Sequence, residues 1–398
     1  MTAILEQKDI ISLALSNSQS IALPVVSAAK EALSNMTWPA SGDESWKYTK
    51  LNHIKALELN TAEYNPNCAI ANTVEYINGS IVASPEITGM NIQHLLEDNL
   101  AKTAFIENLG RISPWEKNLF SACNLIAVPQ VLFIENQNTS EIKNLVINVK
   151  SDVELQSENL RFLIIGRANS STKIEVNFNG LAKDSLRNLQ IECIAEDNAN
   201  IELNLIQENE PDGNSVFQFD AELNKAAQVK INHFNISANW LRANSNFLIK
   251  GEGADAQVNG IYLPSGNQHI DHHTFIEHAV PHTTSHEWFK GVVSKNSKAV
   301  FNGKVFVKKD AQKTDAFQKN NNVIIDHTSS VDAKPELEIY ADDVKCSHGC
   351  TIGQLDDEAI YYLRSRGIGQ DKAKSMVLGA FCQDVLDLIS NDELRERV

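Results

Sequence analysis

The chain has 398 residues, 42% of them apolar, enough for one large domain or two to three ordinary ones with a sizeable core. Asp and Glu outnumber Lys and Arg by 51 to 35, and no basic run is interleaved with aromatics, so a nucleic-acid groove has no electrostatic basis. No stretch approaches the ~18 unbroken apolar residues of a membrane helix, and MTAILEQKDIISLALSNSQ is not a basic leader with a cleavage site, so the expected address is cytoplasmic.

Residues 1–100 read as an N-terminal helical region and linker. DIISLALSN and PVVSAAKEALSNM carry apolar residues at helical spacing, and Pro24 suits a first helical turn. WPASGDESWKYTKL follows as a turn-rich link, with Trp38, Trp46 and Tyr48 expected to anchor it on the body. From about residue 125 the texture changes to short alternating runs separated by Asn, Gly, Ser and Asp, a strand signature. The tetrads INVK, IEVN, IELN, VKIN and the weaker VNGI begin at 147, 174, 201, 229 and 258, at intervals of 27, 27, 28 and 29 residues. Several short strands per repeat, with no helical period inside it, argue for a β-solenoid over a propeller, whose blades need ~40 residues. The coils are expected to continue, more widely spaced, through SKAVFNGKVFV and KPELEIYA, so that 101–355 forms the core. Such a stack has a backbone edge at each end that flanking helices or a partner's strands must cover.

Residues 356–398 revert to helix. Asp356 or Asp357 can cap it, Ile360 and Leu363 share a face, and Gly367 stands where a left-handed C-terminal cap is expected. In a second amphipathic helix Val377, Phe381 and Val385 recur at four-residue spacing, with Leu388 three further on.

Two stretches carry candidate ligands. NQHIDHHTFIEHAVPHTTSHEWFKG holds six histidines, at 269, 272, 273, 278, 282 and 286. Pro281 argues against a helix there, leaving imidazoles at coil corners and strand edges or a metal site involving His272 and His278. In KCSHGC an extended chain sends Cys346, His348 and Cys350 to one face, with roughly 6–7 Å between successive side chains. That is too long for all three to close on one Zn²⁺ without a bend, but it suits two residues offering S and N to a metal completed by another chain; the plainer account makes the cysteines small hydrophobes. The six cysteines, at 68, 123, 193, 346, 350 and 382, are too dispersed for a disulfide framework and are expected to be reduced. GxxxxGK[ST], GxGxxG and GxSxG are all absent.

Read together, DHHTFIEHAVPHTTSHEWFKGVV, FNGKVFVKKDAQKTDAFQKNNNVII, DAKPELEIYADDVKCSHGCTIGQLDDEAIYYLRSRGI and AKSMVLGAFCQDVL, within residues 262–381, resemble the SufB/SufD family of iron–sulfur cluster assembly proteins, as does ESWKYTKL near the N-terminus. CSHG, where SufB-like chains carry a Glu-centred HEA, places the resemblance on the SufD side. Cys350 stands where that family is expected to have a small residue, and residues 118–135 lack its Asn-Ala-Phe and Gly landmarks, which detaches Cys123 from any family role.

The resemblance implies a mainly β chain with a right-handed parallel β-helix core between N- and C-terminal helical regions. It implies a scaffold subunit without catalysis of its own and without a tightly bound cofactor, assisting iron entry or cluster formation. Its expected partners are a SufB-like paralogue, met through β-helix edges, and a SufC-like ABC-type ATPase, docked on the C-terminal helices through Ile360, Tyr361, Leu363, Val377 and Phe381. Cys346 and His348 are then this chain's contributors to a transient cluster or iron at the interface. Two alternatives stay open: a β-helix metalloenzyme using the 269–286 histidines, and a purely structural subunit. An exposed solenoid edge also makes a homodimer plausible in isolation.

Overall fold

The computed structural model describes residues 9–16, 23–40, 42–61, 67–95, 103–389 and 395–396. The N-terminal part comprises α1 (Ile10–Ser16), α2 (Pro24–Ser34), α3 (Asn52–Lys55), β1 (Asn60–Thr61), β2 (Ala69–Ile70), β3 (Val74–Ile77), β4 (Ser80–Ser84), β5 (Met90–Leu95), α4 (Thr103–Asn108) and α5 (Leu119–Ala127). The core strands are β6 (Val131–Asn136), β7 (Ile142–Ser151), β8 (Gln156–Gly166), β9 (Ser171–Leu181), β10 (Leu186–Ala195), β11 (Asn200–Gln207), β12 (Glu210–Leu223), β13 (Gln228–Asn235), β14 (Ala238–Ile249), β15 (Asp255–Tyr262), β16 (His269–His278), β17 (Thr284–Val293), β18 (Lys298–Val307), β19 (Asp315–Ile324), β20 (Ser330–Ile339) and β21 (Lys345–Gln354). Helices α6 (Asp357–Ser365) and α7 (Gln370–Leu386) follow.

From β6 onward the even-numbered strands stack into one parallel sheet and the odd-numbered into another, so each coil gives one strand to each face of a flattened parallel β-helix of about 8 turns. The tetrad repeat is real, but its register differs from the reading by eye. Ile147 pairs with Val176, Ile174 with Leu203, Ile201 with Val229 and Val229 with Ala256, offsets of 29, 29, 28 and 27 residues. Three of the four intervals miss by two residues, and a two-residue slip keeps every side chain on its face of a strand, so the pattern of inner residues survives. The later coils are wider: Phe301 pairs with Ala333, Phe289 with Asn320 and Asn320 with Cys350.

The described residues of 60–95, a stretch expected as helix and loop, hold five short strands. VEYI and SIVAS are too short to show a period; pairing makes them strands, with β3 parallel to β7, β4 antiparallel to β3 and β5 antiparallel to β6. They cover the first edge of both sheets. The expected domain border between 100 and 101 lies outside the described residues, and the stretch after it opens on α4 and α5. In α5, Asn118 caps the first turn by accepting from the amides of Phe120 and Ser121, and residues 119–126 are all buried. It is clamped to the outer face of the even sheet: Asn124 Nδ2 donates to the carbonyls of Leu160 at 2.9 Å and Asn188 at 2.8 Å, while its Oδ1 accepts from Arg161, which is ion-paired to buried Glu192. Cys123 lies in this helix, and burial pushes its thiol far up, making it a packing residue.

The link of 37–50 runs over the same outer face, held by its aromatics as expected. The Trp46 ring lies 5.8 Å from Phe120 and has the Arg242 guanidinium 4.5 Å above it; Trp38 meets Phe120 edge-on at 5.9 Å. Helix α7 and the residues just after it cover the odd sheet: Cys382 and Val385 of the helix and Ile389 beyond it pack on Ile206, Phe234 and Ile261. Both outer faces are thereby partly clad, leaving the last coil as the exposed end.

Candidate functional site at the open end of the β-helix

Strand β21 pairs only with β19 and β20 only with β18, so among the described residues no strand covers the outer edge of either. In the odd sheet one inner row runs Leu145, Ile174, Leu203, Ile231, Val258, Glu287, Gln318, His348, and its neighbour runs Ile147, Val176, Leu205, His233, Gly260, Phe289, Asn320, Cys350. Cys346 follows Ala316 in the next row. Positions that would be core in any earlier coil are thus presented at the end of the stack, with Cys346 half-buried and His348 and Cys350 exposed. Burial pushes the Cys346 and Cys350 thiols up, so in the isolated chain both are protonated and a metal must displace the proton to bind sulfur. Cys346, which with Val344 and Leu337 packs against the cluster of Val305, Val307, Ala311, Ala316 and Ala341, and exposed His348 give a soft donor and an imidazole on one face.

Behind this strand the interior turns polar. Glu287 is fully buried, accepts from Thr274 Oγ1 at 2.5 Å and from Gln318 Nε2 at 3.2 Å, and is lifted to about 7 by desolvation. Gly303 makes room for the Gln318 amide, because a Cβ there would come within 2.3 Å of Nε2. In the next row Tyr262 Oη donates to Asn322 Oδ1 at 2.6 Å, Asn320 Nδ2 donates to Tyr262 Oη at 2.9 Å, and the Cys350 thiol donates to Asn320 Oδ1 at 3.9 Å. Sequence reasoning missed these backing residues, although the available signal was the same repeat carried past 258, which puts Glu287, Gln318 and His348 at 31- and 30-residue steps.

The structure scatters the histidine-rich stretch. His278 is buried with its ring nitrogens 2.7 Å from Thr283 Oγ1 and 2.9 Å from Ser285 Oγ, the hydrogen-bonded imidazole at a coil corner that the sequence allows. His272 is buried in the core, its ring 5.2 Å from that of His233, and desolvation holds both well below the usual imidazole range. On the outer face His269 contacts Thr49 Oγ1 at 3.0 Å and His273 lies 3.1 Å from Asp271, while His286 is on the surface. Period two divides them, and among the described residues no three His, Cys, Asp or Glu side chains converge on a metal position.

Of the helical residues proposed for docking, Ile360 is buried and Phe381 is occupied within the chain. Phe381 packs with the Ile206–Ile261 cluster, and Lys290, 4.9 Å from its ring, donates to its carbonyl and at 2.7 Å to Asp384. Phe381 thus serves to seat α7, since an apolar stripe on a helix next to a sheet is buried against the sheet first. Leu363 and Val377 are half-buried, and Tyr361, Tyr362 and Met376 are left exposed. Asp356 caps α6 by accepting from the amides of Glu358 and Ala359, and Gly367 closes it at φ 85°, as the sequence predicts.

The family profile described as "SUF system FeS cluster assembly, SufBD core domain" matches residues 147–381. The iron–sulfur cluster assembly protein SufD of Escherichia coli is 42% identical over 158 residues, which span 40% of this chain and 37% of that protein. An iron–sulfur cluster assembly SufBD family protein of Synechocystis is 26% identical over 93% of this chain and 88% of its own, and the chloroplastic protein ABCI7 of Arabidopsis thaliana 23% over 96% and 86%. No described helix is long and apolar enough to cross a membrane. With the profile covering more than half its length, the chain belongs to the SufBD core family of the SUF iron–sulfur cluster assembly system.

Proposed function

We propose that this chain is a SufD-like, non-catalytic scaffold subunit that pairs with a SufB-like paralogue through the open end of its β-helix and lends Cys346 and His348 to an iron–sulfur cluster forming there. The observation that carries the reading is the terminal strand: an uncovered β edge bearing a thiol and an imidazole on one face, with no third ligand converging on them among the described residues. A site whose donors number two is completed by donors from elsewhere, and an uncovered edge is where another chain adds a strand. Iron and cluster are cargo in this reading. A thiolate and an imidazole hold them, and the weaker imidazole leaves the site able to release them.

The C-terminal helices then recruit a SufC-like ABC-type ATPase through the exposed Tyr361, with Leu363 and Val377 at the rim, and ATP hydrolysis belongs to that partner. The working compartment is the cytoplasm. Co-expression with candidate paralogue and ATPase, followed by affinity purification and iron and sulfide analysis, tests the reading. Cys346→Ala and His348→Ala are expected to leave the complex assembled while lowering cluster yield; normal yield in both removes these residues from the site.

A further inference from the structure

Amide side chains stand in register on the outer faces of both sheets, and only those of the odd sheet satisfy one another. There Asn177 donates to Asn148 at 3.1 Å, Asn232 to Asn204 at 2.7 Å and Asn259 to Asn232 at 3.0 Å. On the even sheet Gln218, Asn244, His273, Asn302 and Lys334 form one column across successive strands, about 4.8 Å apart. Among the described residues no side-chain bond runs along it. Gln218, Asn244 and His273 turn instead to a neighbour on their own strand: Gln218 donates to Asp220 at 2.8 Å, Asn244 accepts from Arg242 at 2.8 Å, and His273 lies 3.1 Å from Asp271. The half-buried Asn302 amide bonds to none of the described residues. This column floors a cavity of about 830 Å³ between the sheet, the link and the first turn of α5.

Around Asn302 the cavity is rich in ammonium groups. Lys334 follows it in the column, Lys304 leaves the same face of β18 two residues on, and Lys117 lines the same cavity without an ion partner among the described residues. Lys304 is paired with Glu338, and Lys334 with Glu336 at 3.1 Å and with Glu44 of the link at 2.6 Å. Glu44 comes from outside the sheet, its side chain is 79% exposed, and it already seats a carboxylate on Lys334 inside the cavity. Exposed pairs of this kind contribute little to stability, so an incoming anion can take the place of Glu44 at small cost. We propose that this cavity binds a small organic phosphate, its phosphate held by Lys304, Lys334 and the Asn302 amide, with Glu44 as a built-in competitor for Lys334. Two ammonium groups and an amide N–H match the three terminal oxygens of a phosphate monoester. A carboxylate is better matched by the planar fork of an arginine, and the arginine that lines the cavity, Arg242, is committed to Asp271 at 2.8 Å. The organic body lies against Trp38, Trp46 and Phe275, which line the same cavity. The site is separate from Cys346 and His348, which belong to the other sheet, and it does not depend on their proposed role.

The test is ligand-observed NMR on the full-length chain at low ionic strength: ¹H saturation transfer to phenyl phosphate and to benzoate, and displacement of phenyl phosphate by inorganic phosphate. Phenyl phosphate is expected to bind most tightly, inorganic phosphate several-fold more weakly and benzoate weakest. Lys334→Gln is expected to weaken phenyl phosphate about tenfold, the loss of one charge-assisted contact, and Asn302→Ala several-fold. Glu44→Gln is expected to tighten it several-fold, a gain that a damaged fold cannot give, so the opposite signs separate the site from general destabilisation. Absence of saturation transfer to phenyl phosphate at millimolar concentration overturns the proposal, as does binding that Lys304→Gln and Lys334→Gln together leave unchanged. Benzoate binding as tightly as phenyl phosphate overturns the choice of phosphate, and an affinity that Glu44→Gln does not raise removes Glu44 as the competitor.

Discussion

The two ends of the β-helix are built from one repeat yet differ in what happens beyond the last strand. At the first end β3 and β5 pair onto β7 and β6, and α5 is clamped over the outer face through Asn124 and Arg161. The inner rows of the odd sheet there are apolar, with Leu145 and Ile174 in one and Ile147 and Val176 in its neighbour, all in the core. At the other end nothing described covers β20 and β21, and the same rows pass through Glu287, Gln318 and Asn320 to His348 and Cys350. A position in register is core when a coil follows it and a candidate site when none does. The difference teaches that exposure of these ligands follows from their place in the stack, which no local pattern records.

The contrast can be broken most severely at the closed end. Phe162→Ala removes a fully buried ring and is expected to cost about 3–5 kcal/mol, read as a lowered urea midpoint at unchanged m; a loss under about 1 kcal/mol would show that this end is loosely packed.

The polar interior near the open end should reveal itself through pH. Glu287 titrates near 4.5 when unfolded and about 7 in place, so between these values the folded state keeps a proton that the unfolded state has lost. Its contribution is therefore fully present below pH 4.5 and disappears as pH rises through 7. The stability of the unaltered protein minus that of Glu287→Gln is expected to fall by roughly 3 kcal/mol between pH 4 and 8, by denaturant titration, and a flat difference would place this carboxyl in water. Taking the difference removes the opposite trend of His233, held at about 3, and His278, held at about 4, whose contributions are lost as pH falls below 6.5.

At the terminal strand, Cys346→Ala and Ile352→Ala should each move stability by about 1 kcal/mol or less, since their side chains lack a following coil. A loss comparable to that of Phe162→Ala would mean that the last coil is core, contradicting its reading as a docking end. Smallest of all in the isolated chain, Tyr361→Ala, at 74% exposure, should leave the melting temperature within a degree or so, while reducing retention of an ATPase partner on affinity resin. Unchanged retention would move the docking surface away from α6.

Much of this architecture could be read from residue order. Alternation and a period near 28 announced stacked strands, Pro281 ruled out a histidine helix, and Asp356 and Gly367 marked the ends of α6, because each is a local preference of the backbone. The strands of 60–95 could not be read, since two to six residues carry too little pattern and become strands only by pairing with distant segments. Phe381 packs within the chain rather than lying free, which residue order could not announce, because a helix's apolar stripe looks alike whether it meets its own sheet or another chain.

What the order of residues determined alone was the face: period two committed Cys346, His348 and Cys350 to one side of a strand and divided His272 and His278 from His269 and His273. What only the tertiary structure decided was the depth. Register stacked Gln318 and Asn320 behind the terminal ligands and buried His272 and His278 in covered coils, because burial depends on neighbours some thirty residues away in sequence and one strand away in space.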